Sequence, residues 1–204
     1  MSIITDILQQ NKVKNRCNVF VDGEFSFAVY VDTVIKFGLK KDLVLDDELK
    51  KKITEDDEKL YAFSLSTKYL SRVVKTKKQV ITYLNGKGFS DKTIFAVIDK
   101  LIEYGFINDE EYVRRYLTTY SRSQGKRLAD YRMMKNGISK TVIESVREIF
   151  DDNSKENAYN IAEKRLKNKT IDKLLLSKTY RYLISKGFSY EDAEYAVSKC
   201  KEND

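Results

Sequence analysis

Arg114, Arg115, Arg122, Lys126, Arg127, Arg132, Lys135 and Lys140 crowd the segment from Tyr112 to Lys140, where Asp130 is the only acid. That local excess equals the formal charge of +7 carried by all 204 residues. A concentration of this kind suits contact with a polyanion, a row of phosphates or carboxylates. Two cation pairs, Lys77-Lys78 and Lys126-Arg127, occupy equivalent places counted back from Gly88 and Gly137, in the first turn of a predicted helix. A helix start favours anions, so each cation there costs roughly a few tenths of a kcal/mol. An external phosphate or carboxylate would offset that cost, and plain solvation of the side chains is the alternative. The third equivalent place holds Leu176-Ser177. Tyr116, Tyr120 and Tyr131 interleave with the basic residues, as on surfaces that meet protein or nucleic acid, though tyrosines also wedge between helices.

Catalysis finds no foothold. The chain has no His, which removes a His base, a His metal ligand and any Ser-His or Cys-His pair. Gly86-x-Gly88 lacks the third glycine of a dinucleotide loop, and no phosphate loop occurs. The acids Asp46-Asp47-Glu48 and Glu55-Asp56-Asp57-Glu58 suit helix N-termini better than a metal. Cys17 and Cys200 lie far apart and read as packed thiols of a reducing compartment. With no long apolar run and no basic start followed by one, a cytoplasmic protein without membrane, cofactor or metal is expected.

The elements that position the basic residues are marked by three corners, Gly88-Phe89-Ser90, Gly137-Ile138-Ser139 and Gly187-Phe188-Ser189. A glycine just past a helix takes the left-handed conformation, and a serine two residues on caps the next helix. The residue between them should touch Leu84, Met133 or Leu183 behind it and Ile94, Ile143 or Ala193 ahead. A further amphipathic segment precedes each pair, at 62–74, 109–122 and 155–168, so each repeat has three helices. Gly105-Phe106 followed by Asn108 and Glu111 repeats the chemistry between the first and second repeats. Asp151-Asp152-Asn153-Ser154, without glycine, reads as a looser hinge before the third.

The first residues differ. Val13 to Val21 and Glu24 to Val31 alternate apolar and polar residues around Asp22-Gly23, a strong hairpin signal. A lone hairpin is marginal in water and must pack on something, such as Asp32 to Phe37 or the first repeat. Thr54-Glu55-Asp56-Asp57 reads as the start of the helix that follows. The expectation is a mainly α protein, three tandem three-helix repeats in an elongated arrangement behind a small N-terminal β-hairpin module. The boundaries are 1–56, 57–105, 106–150 and 151–204. Residues 1–61 are net −2, while 62–105 are +5, 106–150 +3 and 151–204 +1, so the basic weight is central.

Gly105-Phe106-Ile107-Asn108-Asp109-Glu110-Glu111-Tyr112, Gly125-Lys126-Arg127, Lys135-Asn136-Gly137-Ile138, Lys186-Gly187-Phe188 and the hairpin Asn18 to Phe25 together resemble the RecX family, regulators of the RecA recombinase. The resemblance covers nearly the whole chain, and the hairpin resembles the extension of the Gram-positive branch. Val113-Arg114 and Asn136 depart from the residues common in the family. The resemblance implies three tandem three-helix repeats that lodge in the helical groove of the RecA filament on DNA and limit its growth, ATPase, strand-exchange or co-protease activity; a monomer with weaker, electrostatic contact to single- or double-stranded DNA is expected. The partner-facing residues are expected to be Lys77, Lys78, Arg114, Arg115, Arg122, Lys126, Arg127, Arg132 and Lys135. The alternative is a helix-turn-helix-like module that binds DNA directly. Against it, the second and third helices lack a set of Asn, Gln and Arg spaced for base edges.

Overall fold

The computed structural model describes residues 2–11, 13–150 and 153–202. Four antiparallel strands, β1 (Ser2–Gln9), β2 (Arg16–Val21), β3 (Glu24–Tyr30) and β4 (Val44–Leu45), form one sheet in the order β3-β2-β1-β4. The short α1 (Val31–Lys36) follows β3. Three helical triplets come next: α2 (Asp47–Leu70), α3 (Lys77–Asn85) and α4 (Asp91–Glu103); α5 (Asp109–Tyr120), α6 (Lys126–Lys135) and α7 (Lys140–Glu148); α8 (Ser154–Leu166), α9 (Lys173–Ser185) and α10 (Tyr190–Glu202). The chain divides into two compact units, Met1–Val73 with Val80–Phe106, and Val74–Gln79 with Ile107–Asp204.

The expected hairpin is β2 and β3. Asp22 and Gly23 both hold positive φ, 52° and 88°, the turn whose twist matches that of the strands it joins. It is half of a larger sheet, however. β1 escaped detection because its register with β2 shifts between Ile4 and Asp6, so its apolar residues do not alternate. A second shift, between Val19 and Phe20, turns Phe25 out of the core to 58% exposure, against the alternation its neighbours suggested. Ile4, Val19, Val29, Leu39, Leu45 and Ile53 make the core of this module. Because Ile53 comes from α2, the sheet closes on the long helix, and the expected boundary at residue 56 falls inside that helix.

α2 starts seven residues before the expected start at Thr54-Glu55-Asp56-Asp57, at Asp47, where Asp46 accepts from the backbone N–H of Leu49 at 2.7 Å. The second acidic run is therefore mid-helix, and each member has a partner within the first unit. Glu55 meets Lys92 Nζ at 2.7 Å, Asp56 meets Lys36 Nζ at 2.7 Å, and Glu58 accepts from Thr93 Oγ1 at 2.6 Å. Asp57, only 5% exposed, accepts from the Tyr30 backbone at 2.6 Å and from Thr33 Oγ1 at 2.8 Å, and pairs with Arg16 at 3.2 Å.

All three corners have the expected geometry. Gly88, Gly137 and Gly187 hold φ of 84°, 93° and 90°. Ser90, Ser139 and Ser189 accept from the backbone N–H of Thr93, Val142 and Asp192. The intervening N–H groups of Phe89, Ile138 and Phe188 return to the carbonyls of Leu84, Met133 and Leu183. Met133, Ile138 and Ile143 share one buried cluster, and Leu183, Phe188 and Ala193 another. The polar hinge at 151–154 falls partly outside the described residues; Ser154 opens α8. Cys17 and Cys200 are buried free thiols. No helix among the described residues is long and apolar enough to cross a membrane.

Candidate partner-binding surface

The nine cations singled out in the sequence do not form one set. Arg114 and Arg115 on α5 fold back on acids one turn earlier, to Glu110 at 3.4 Å and Glu111 at 2.6 Å. Their charge is therefore locally balanced, at the four-residue spacing that favours such pairs. Lys78 Nζ donates to the Lys135 carbonyl at 3.1 Å, at the C-terminal end of α6, where a cation is favoured. Arg122, Lys126, Arg127, Arg132 and Lys135 are exposed and make no ion pair among the described residues. Asp130, the one acid among them, is taken by Arg147 of α7, whose Nε lies 3.0 Å from Oδ1. Five cations of the second repeat are thus left to face outward.

Groups within the second unit stand at both helix starts, where the sequence left an external anion or plain solvation open. At α3 the Asp109 carboxyl lies close enough to Lys77 for the Lys77 backbone and charge to favour its ionised form. Burial nonetheless holds the Asp109 carboxyl above its ordinary range, and its Oδ1 has no hydrogen-bond partner. Thr76 and Gln79 cap the same turn reciprocally, and Thr76 Oγ1 donates to the Asn136 carbonyl at 2.6 Å. At α6 the N–H groups of Gly125 and Arg127 donate to the carbonyls of Lys186 and Gly187, at 3.0 and 3.1 Å. The C-terminal end of α9 thus docks head-on against the N-terminal end of α6, joining opposite dipole ends. α9 itself begins a turn earlier than its counterparts, at Lys173, with Asp172 accepting from Leu175 N–H at 2.6 Å, so Leu176-Ser177 is not its start.

The docking requires glycine at Gly125 for closeness alone. A Cβ there would collide with the backbone of Gly187 and Phe188. Sequence reading missed this residue, because close approach leaves no local signature. A Cβ on Gly137 would lie 2.6 Å from the Cβ of Lys78, so the corner of the second repeat sits on the first turn of α3 in the same manner.

On α5, Tyr112, Tyr116 and Tyr120 form a ladder with ring centroids 6.2 and 4.7 Å apart. Tyr116 donates to Gln124 Oε1 at 3.2 Å and Tyr112 accepts from Asn136 Nδ2 at 2.9 Å, so these two rings are structural wedges. Burial raises the Tyr112 hydroxyl above its usual range. Tyr131, by contrast, stands 60% exposed on α6. A cleft of about 670 Å³ is lined by Lys126, Arg127 and Lys155 together with Asp130, Glu156, Glu191 and Asp192.

Residues 2–46 match the regulatory protein RecX N-terminal domain and residues 152–197 the RecX third three-helix domain. Regulatory protein RecX of Clostridium botulinum strain Eklund 17B is 34% identical over 196 residues, covering 94% of this chain and 92% of that one. The chain belongs to the RecX family. Regulatory protein RecX of Clostridium perfringens strain SM101 is likewise 34% identical, over 100% of this chain and 99% of its own. A crystal structure of regulatory protein RecX superposes with a TM-score of 0.76 at 24% identity, covering 97% of this chain and all of that one. RecX from Lactobacillus salivarius does so at 0.63 and 24% identity, over 71% of this chain and 97% of its own. The RecX relatives carry the name of a regulatory protein, and the fold of strand module plus three-helix repeats is theirs.

Proposed function

We propose that this RecX-family chain binds the RecA filament on DNA, lodging in its helical groove, and restrains its recombinase, ATPase and co-protease activities in repair and the SOS response. The observation that carries the reading is the set of five exposed cations, Arg122, Lys126, Arg127, Arg132 and Lys135, that make no ion pair among the described residues. A groove walled by acidic protein and DNA phosphate offers many weak partners at once, and several repeats on one chain add their contacts. The protein acts in the cytoplasm as a monomer and touches single- or double-stranded DNA more weakly, through charge. No enzymatic step is needed: the chain offers no His, and Glu55, Asp56 and Asp57 are engaged in folding contacts.

The test compares binding to RecA-coated single-stranded DNA with binding to the same strand naked, across a salt series. Preference for the coated strand is expected, together with slower ATP hydrolysis by the filament. Equal binding to both, with a steep loss on adding salt, would select a module that binds DNA directly.

A further inference from the structure

α6 turns a two-turn stripe to solvent whose chemistry is not that of a phosphate-binding helix. At about 100° per residue, Arg127, Tyr131, Met134 and Lys135 fall in one sector of roughly 100°, opposite Ala129 and Met133. Ala129 and Met133 are buried and supply the core of the repeat. Tyr131 and Met134 are 60% and 45% exposed, and both stand among residues that are themselves exposed. Arg127 and Lys135 bracket them without an ion pair among the described residues, and Asp130, on the flank of the helix, is held by Arg147. The stripe itself is therefore an apolar and aromatic centre between two cations and carries no carboxylate of its own; Glu156 of α8 and Glu191 of α10, which line a cleft with Arg127, lie off it.

Resting on the regulator reading above, we propose that this stripe is the protein-facing part of the surface: it seats in a shallow apolar pocket rimmed by carboxylates on the filament protein, rather than along DNA. Charge complementarity sets the rim, since two cations with no acid between them ask for an acidic border. The centre sets the class of partner. Tyr, Met and Arg are the residue types enriched at the buried centres of protein interfaces. A thioether has neither charge for a phosphate nor a ring for a base, and α6 carries no Asn or Gln for base edges. Arg122, outside the stripe, remains available to phosphate.

The full-length protein carrying Tyr131→Ala with Met134→Ala is compared with wild type for binding to RecA-coated single-stranded DNA and to the naked strand. Both residues are exposed, so the thermal midpoint should stay at the wild-type value and report normal folding. Loss of about tenfold or more on the coated strand is expected, with naked-strand binding unchanged. Arg127→Gln with Lys135→Gln should weaken coated-strand binding and flatten its salt dependence. Unchanged coated-strand binding by the apolar double variant, in a protein whose wild type prefers the coated strand, overturns the stripe alone. Equal losses on both strands make it a nucleic-acid face and overturn it as well. A wild type that shows no preference for the coated strand removes the regulator reading, and this inference with it.

Discussion

Arg16 on β2 and Asp57 in the middle of α2 stand 41 residues apart in sequence and meet through Nη2 and Oδ2 at 3.2 Å. Around that contact Asp57 also receives the Tyr30 N–H and the Thr33 hydroxyl, and so ties the start of α1 to α2. The Arg16 guanidinium donates to the Ala28 carbonyl at 2.8 Å and lies 4.8 Å from the Tyr30 ring centre and 5.4 Å from that of Tyr61. Both pair members are largely buried, so removing one leaves a charge and several polar groups without partners.

Asp57→Ala is accordingly expected to destabilise the protein by about 3 kcal/mol, read by urea unfolding. Lys36→Ala and Lys52→Ala, which touch exposed ion pairs, should each change stability by less than about 1 kcal/mol. A mild effect of Asp57→Ala would show that the sheet is held by its apolar core alone. Deleting residues 1–48 strips the partners of Asp56 and Asp57 and the cover of Ile53. The expected result is loss of helical signal from the first part of α2, while α5–α10 melt as before.

Alanine at three glycines separates backbone strain from collision. Gly88 holds a φ of 84° but has open space around an added Cβ, so Gly88→Ala should cost about 1 kcal/mol. Gly137 adds to a similar φ a contact with the Lys78 side chain, which can shift only if it releases the Lys135 carbonyl, and should cost more. At Gly125 the obstacle is the backbone of Gly187 and Phe188, so Gly125→Ala should exceed Gly88→Ala although Gly125 has an ordinary φ of −75°. Thermal midpoints of the three variants give the order directly.

Asp109 supplies a pH dependence with a definite sign. Burial raises its carboxyl above the unfolded value of 3.8, so the charged form is less welcome in the folded state. Its contribution to stability is therefore greatest below that value and is lost as pH rises through the folded pKa. Asp109→Asn cannot titrate, and the difference in midpoint between variant and wild type should shift in favour of Asn as pH rises past the unfolded value of 3.8. A difference independent of pH would mean the carboxyl titrates normally.

Neutralisation should divide the nine cations as their contacts do. Arg114→Gln with Arg115→Gln removes charges already answered by Glu110 and Glu111, and coated-strand binding should change by less than about threefold. Arg122→Gln with Lys126→Gln and Arg132→Gln removes unanswered ones and should cost about tenfold, with a flatter salt dependence. Glutamine is the better probe than glutamate here, because an acid at Lys126 or Arg127 would lie near the carbonyls of Lys186 and Gly187 and disturb the docking of α9.

What the sequence determined is local. Gly-apolar-Ser builds a corner from groups within six residues of one another, so three corners were legible before any packing was known, as was the turn at Asp22-Gly23. The balance of Arg114 and Arg115 was legible too, since their acids lie four residues away on the same helix. The tertiary structure decided whatever depends on distant partners. β1 is hidden by an irregularity in its register, the acids Glu55 to Glu58 find partners on β2, α1 and α4, and the helix start at Lys126 is answered by the end of α9. Composition states how many charges a chain has. Which of them stay unanswered is fixed only when packing brings carboxylates and carbonyls to some and leaves Arg122, Lys126, Arg127, Arg132 and Lys135 to the solvent.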